Sequence, residues 1–72
     1  MNTQEFKLNG EYIALCDLLK LTGIADSGGQ GNLMIANGEV TVDGQPESRK
    51  TAKIRANQTV QCLGQTIRVV AA

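Results

Sequence analysis

The sequence predicts a mixed α+β fold, with two helices packed on one face of a small, mostly antiparallel sheet. Three observations carry that reading. Leu15, Leu18, Leu19 and Thr22 follow the i, i+3, i+4, i+7 spacing of a buried helical face, and Gly23 supplies a left-handed stop. Ser27 and Gln30 have the spacing of a capping box and mark a second helix start. Further along, stretches of alternating polar and apolar residues are separated by Asp43-Gly44 and Gly64-Gln65, which read as hairpin turns.

Taken in order, residues 3–8 alternate as a short strand, with Phe6 and Leu8 on one side and Glu5 and Lys7 on the other. Asn9-Gly10 turns the chain. Helical spacing begins at Tyr12 and runs to Gly23; Asp17 and Lys20 form a solvated pair on its outer side. Residues 24–26 connect to the second helix, whose early part holds Gly28, Gly29 and Gly31. Glycine costs about 1 kcal/mol relative to alanine inside a helix, so this helix depends on packing by Leu33, Met34 and Ile35. Asn37-Gly38 ends it. Residues 39–42 form a strand, and residues 45–48 return as an edge strand, where Pro46 is tolerated. A basic stretch follows. Residues 59–63 and 66–70 pair as a final hairpin, with Ile67 and Val69 on the core side and Arg68 on the other.

With 72 residues the chain is expected to be a single domain spanning residues 1–72, burying about 60% of the surface of its unfolded form. Phe6 and Tyr12 are the whole aromatic content, so the core must be aliphatic. No apolar run approaches the length of a membrane span. The first residues lack the basic and apolar segments of a signal peptide, so the expected compartment is the cytoplasm and the expected state a monomer. Cys16 and Cys62 are far apart in sequence and histidine is absent, so a zinc site cannot be assembled. Both cysteines read as small, reduced core side chains.

Catalysis is poorly served. Without histidine, acid–base work falls to carboxylates, lysines or thiolates, and the acids are scattered singly. Ser27 and Ser48 are the only serines, and neither sits in a nucleophile elbow. No catalytic residue, cofactor or metal is expected. The segment Ser27-Gly28-Gly29-Gln30-Gly31 lacks the Gly-Lys-Ser/Thr ending of a nucleotide-binding loop. Its glycines suit either tight packing or a backbone cradle for phosphate at a helix start.

The charge distribution is more informative than the net charge of zero. The first 48 residues carry all seven acids against Lys7 and Lys20, a net of −5. The last 24 carry five cations and no acid: Arg49, Lys50, Lys53 and Arg55, and Arg68 on a later strand that is expected to join the same RNA-binding surface. Thr51 and Ala52 are small spacers through which a phosphate backbone can approach. A local positive field of this kind attracts a polyanion even on a neutral protein. The basic region contains no Phe, Tyr or Trp, so base stacking is not expected from it. Recognition of backbone and shape, as for structured RNA, is.

Leu15-x-x-Leu18-Leu19-x-x-x-Gly23, Asp26-Ser27-Gly28-Gly29, Met34-Ile35-Ala36-x-Gly38-x-Val40-x-Val42-Asp43-Gly44 and Arg49-Lys50 together resemble the RNA-binding domain of small-subunit ribosomal protein S-four, the alpha-L motif. The resemblance covers about residues 12–56, and the flanking strands fit small stand-alone bacterial versions. It implies RNA lying across the second helix, at Ser27, Gly28, Gly29, Gln30 and Asn32, and across the loop holding Arg49, Lys50, Lys53 and Arg55. Many members carry Arg or Lys early in the second helix; this chain has glycines, Gln30 and Asn32 there. Half of the usual electrostatic footprint is therefore missing, and a protein or ribonucleoprotein partner could supply it. The competing reading is a small protein–protein adaptor of β-grasp-like form. A sulfur carrier of that kind needs a terminal Gly-Gly, where this chain has Val69-Val70-Ala71-Ala72.

Overall fold

The computed structural model describes residues 2–72. The element order is β1 (Asn2–Leu8), β2 (Ile13–Ala14), α1 (Leu15–Leu21), α2 (Gly28–Ala36), β3 (Val40–Val42), β4 (Gln45–Pro46), β5 (Lys53–Ile54), β6 (Thr59–Cys62) and β7 (Gln65–Ala71). Five strands form one sheet in the order β1-β7-β6-β3-β4, and β2 and β5 form a separate two-stranded ribbon. Only β1 and β7 run parallel; the remaining pairs are antiparallel. The α+β class, with a mostly antiparallel sheet, is the fold that the alternation and the helical spacing predict.

One face of the sheet is covered. Leu8, Val40, Val60, Cys62, Ile67 and Val69 join Leu15, Leu18 and Leu19 of α1 and Met34 and Ile35 of α2 in a single buried cluster. The core is aliphatic. The Gln4 side chain on β1 donates to the Thr22 carbonyl at the end of α1, 3.4 Å away, tying the sheet edge to the helix layer. The other face carries Arg68 with Glu5 and Thr59 as its register neighbours on β1 and β6.

The local signals hold where they are local. Gly23 takes φ +82° and stops α1. Ser27 caps α2, its Oγ accepting from the Gln30 amide at 3.2 Å. Gln30 reaches back one residue further than the usual box, its Oε1 accepting from the Asp26 amide at 2.7 Å. Asp43 and Gly44 both adopt positive φ, 53° and 83°, as a two-residue hairpin of primed type requires.

Four expectations are corrected. First, α1 starts at Leu15 and not at Tyr12, because Ile13 and Ala14 extend to pair with Ile54 and Lys53. That strand pairing, set by a distant segment, overrides the local helical pattern. Second, Leu33 does not hold α2: it is 63% exposed. The buried stripe is Gly31, Met34 and Ile35, an i, i+3, i+4 set that points Leu33 away. Third, the final turn is Leu63-Gly64, at φ 51° and 77°, so Gln65 already belongs to β7. Fourth, the edge strand after the Asp43-Gly44 turn ends at Pro46, and the Glu47 side chain turns instead toward Arg49.

Candidate nucleic-acid interface

The basic loop is fixed by its own backbone. An α-helix leaves its first amides without intrahelical acceptors. In α1 the N-cap is Ala14, whose side chain cannot cap. The loop supplies what is missing: the Leu15 amide donates to the Ala52 carbonyl at 2.9 Å, and the Cys16 amide to the Lys50 carbonyl at 3.0 Å. Ala52 and Ile54 are buried beneath the loop. With carbonyls and apolar side chains turned inward, Arg49, Lys50, Lys53 and Arg55 are all left exposed on the outside.

The beginning of α2 meets the same end of α1. A Cβ at Gly31 would lie 3.6 Å from the Cys16 carbonyl oxygen and 3.5 Å from the Ala25 Cβ. The two helices pack together at Gly31, with room for ordinary van der Waals contact to a Cβ there. Gly28 and Gly29 are different. Nothing lies within 4 Å of a Cβ at Gly28, and only the Ser27 Oγ, at 3.9 Å, near one at Gly29. Their amides open α2 without intrahelical acceptors, whereas the Gly31 amide donates to the Ser27 carbonyl at 3.0 Å. Ser27, Gly29 and Gln30 are exposed, and Asn32 is half-buried with its Oδ1 lacking a hydrogen-bond partner. Cys16 is thus the hub: its amide holds the basic loop and its carbonyl abuts α2. The basic loop and the Gly31 turn of α2, from separate parts of the sequence, both contact Cys16 of α1.

Three placements differ from the sequence reading. The basic cluster does have a balancing acid. Glu47 accepts from the Arg49 backbone amide at 3.0 Å, from Nε at 3.2 Å and from Nη2 at 3.3 Å. Hydrogen bonding from the Arg49 guanidinium holds the Glu47 carboxyl below its usual range. The pair stands at the surface, where ion pairs contribute little to stability, but it occupies one of the four charges. Next, the region does have an aromatic ring. Tyr12 lies beside β5, with the Lys53 Nζ 5.0 Å and the Arg55 Cζ 5.9 Å from its centroid. Lastly, Arg68 lies on the sheet face turned away from the helices, beside Asn57, Gln58 and Thr59. The signal for Tyr12 was present in two short triplets, Tyr12-Ile13-Ala14 and Lys53-Ile54-Arg55, each with an apolar residue at its centre. Their pairing across some forty residues was not visible.

The sequence model of the S4 domain family matches residues 6–70. The chain belongs to the S4 domain family. It is 52% identical over 60 residues to "Putative RNA-binding protein YbcJ" of Escherichia coli (strain K12), covering 83% of this chain and 86% of that protein. The same figures hold for a YbcJ protein of Shigella flexneri. The solution structure of YbcJ from E. coli, described as revealing an alfaL motif involved in RNA-binding, superposes with a TM-score of 0.68 at 46% identity, covering 99% of this chain and 89% of that one. The ribosomal protein S4e of Thermoplasma acidophilum gives a TM-score of 0.61 at 22% identity, over 81% of this chain and 31% of that one. The last likeness is one of fold alone. The alpha-L architecture of the S4 domain is therefore the fold of this chain, and β1 and β7 form its one parallel pair among the described residues.

Proposed function

We propose that this chain is a non-enzymatic RNA-binding module that holds structured RNA mainly through phosphate contacts. One observation supports the reading: the loop that carries the exposed Arg49, Lys50, Lys53 and Arg55 is pinned to Leu15 and Cys16 of α1, and α2 packs on Cys16 through Gly31. Fixed cations attract the backbone, and free amides at a helix start accept a phosphate oxygen. In this reading Lys50, Lys53 and Arg55 are the principal charges, and Arg49 joins them when RNA displaces Glu47. Ser27, Gly28, Gly29, Gln30 and Asn32 form a neutral shelf that admits the backbone closely. Arg68, on the outer sheet face beside Asn57 and Gln58, is a further candidate contact. The description of the E. coli relative as RNA-binding supports the assignment.

Phosphate contacts position RNA and do not read its sequence. The proposal extends to a monomer working in the cytoplasm, on the composition arguments above; sedimentation at micromolar concentration tests the monomer. The test of function is crosslinking in cells followed by sequencing of the attached RNA. Structured transcripts should be recovered with the wild type and lost when Arg49, Lys50, Lys53 and Arg55 are changed together to Ala. Equal recovery with the fourfold variant would remove the loop from the interface.

A further inference from the structure

We propose that the Tyr12 ring is a stacking platform for one unpaired nucleobase of the bound RNA, with Lys53 and Arg55 holding the adjoining phosphates. The proposal rests on the RNA-binding reading and deepens it, from any structured RNA to RNA that presents a base outside the helix.

The argument starts from register. Ile13 pairs with Ile54 and Ala14 with Lys53, antiparallel. One step further along, Tyr12 stands opposite Arg55. Alternation then places Tyr12, Lys53 and Arg55 on the outward face of the ribbon, while Ile54 points into the core. Lys53 lies on β5 and Arg55 follows it directly, so both cations come from the segment paired with β2. The other edge of β2 carries no strand among the described residues. Tyr12 is accordingly 46% exposed, although cations already cover part of it.

Lys53 and Arg55 are also free to bind. Among the described residues the one salt bridge is that of Arg49 with Glu47, so neither of the other two cations meets a carboxylate. A half-exposed ring bordered by two unpaired cations matches the chemistry of a nucleotide: a base to stack and phosphates to neutralise. Every base has a π-face, so the platform selects an unpaired base without selecting which. A perfect duplex offers it nothing, since the bases of an A-form helix are stacked on one another.

Tyr12 is the single tyrosine and there is no tryptophan, so intrinsic fluorescence reports on this ring alone. Three RNA probes decide the matter: a blunt duplex, the same duplex with one bulged adenosine, and the same with an abasic ribose at the bulge. The bulged probe should quench the tyrosine emission and bind more tightly than the other two. Changing Tyr12→Ala should weaken the bulged probe by about 5-fold to about 150-fold, the worth of one aromatic–base stack, and leave the abasic probe nearly unchanged. Tyr12→Phe should keep the wild-type preference. If Tyr12→Ala weakens all three probes equally, the ring merely positions the cations and the proposal fails, while RNA binding stands. Unchanged binding and emission also overturn it. If the wild type binds none of the probes, the RNA-binding reading falls and takes this proposal with it.

Discussion

Replacing Gly31 with alanine should stabilise the protein, and the size of the effect follows from the helix contact. Gly31 is buried in the fourth helical position after the Ser27 cap, with helical backbone angles and no positive φ. Alanine there gains about 0.8–1.0 kcal/mol in helix propensity. The new methyl would meet the Ala25 Cβ at 3.5 Å, the Cys16 carbonyl oxygen at 3.6 Å and the Leu19 Cβ at 3.9 Å. These are ordinary van der Waals separations, so nothing has to move and a few apolar contacts are added. The net expectation is about 1 kcal/mol of stabilisation, which raises Tm by about 4–8 °C in a domain of this size. Thermal unfolding followed by circular dichroism checks it. The same change at Gly38 should do the opposite, costing about 1–2 kcal/mol, because its φ of +77° is left-handed although the space around it is open. RNA affinity should be unchanged by Gly31→Ala, which adds no group to the surface. A lower Tm for Gly31→Ala would show that α1 and α2 approach more closely than described, and would refute the view that Cys16 has room to hold both patches.

Two further predictions concern side chains that the charge count misjudged or could not weigh. Glu47→Gln should raise RNA affinity, because the Arg49 guanidinium no longer has to leave a carboxylate to meet a phosphate; binding isotherms at fixed salt measure it. Cys62 is 2% exposed, and Cys62→Ser should cost about 1–3 kcal/mol by placing a hydroxyl among aliphatic side chains without a partner. Burial first, and the Glu39 carboxylate second, push the Cys62 thiol up from its ordinary value. A raised folded pKa means that the stabilisation is whole below the unfolded thiol pKa and is lost as pH rises through the folded one, so the wild type should lose stability on the alkaline side relative to the serine variant. Urea unfolding of both proteins between neutral and alkaline pH reads this difference.

Much of the fold was legible because its signals are short-range. The Leu15-Leu18-Leu19 face, the Ser27 cap, the Asp43-Gly44 turn and the Ile67/Val69 alternation each depend on neighbours within a few residues. What escaped was set by partners far along the chain. Tyr12 to Ala14 carry part of a helical pattern, yet Lys53 and Ile54 draw Ile13 and Ala14 into a ribbon. Leu33 reads as a core residue until Gly31 takes the inner position. The site shows the same division. The cationic cluster was visible as composition, but its attachment to α1 is made by carbonyls, which carry no mark in the sequence. Glu47 lies two residues from Arg49 and could have been suspected of pairing with it; Tyr12 could not have been assigned to the cluster without the ribbon register.

The central claim is that four cations on a backbone-pinned loop carry the affinity for RNA. The most direct measurement is a salt series on one structured RNA with the wild type, the fourfold variant with Arg49, Lys50, Lys53 and Arg55 changed to Ala, and Lys7→Ala as a control on β1. Four phosphate contacts predict a log–log slope of about −3 to −4 for the wild type, by counterion release. The slope should be nearly flat for the fourfold variant, and the control should match the wild type. Circular dichroism must show that the fourfold variant keeps its helices, as the Ala52 and Lys50 carbonyls that cap α1 are backbone groups untouched by the changes. A folded fourfold variant with wild-type affinity and slope would contradict the account and leave the protein–protein adaptor as the better reading.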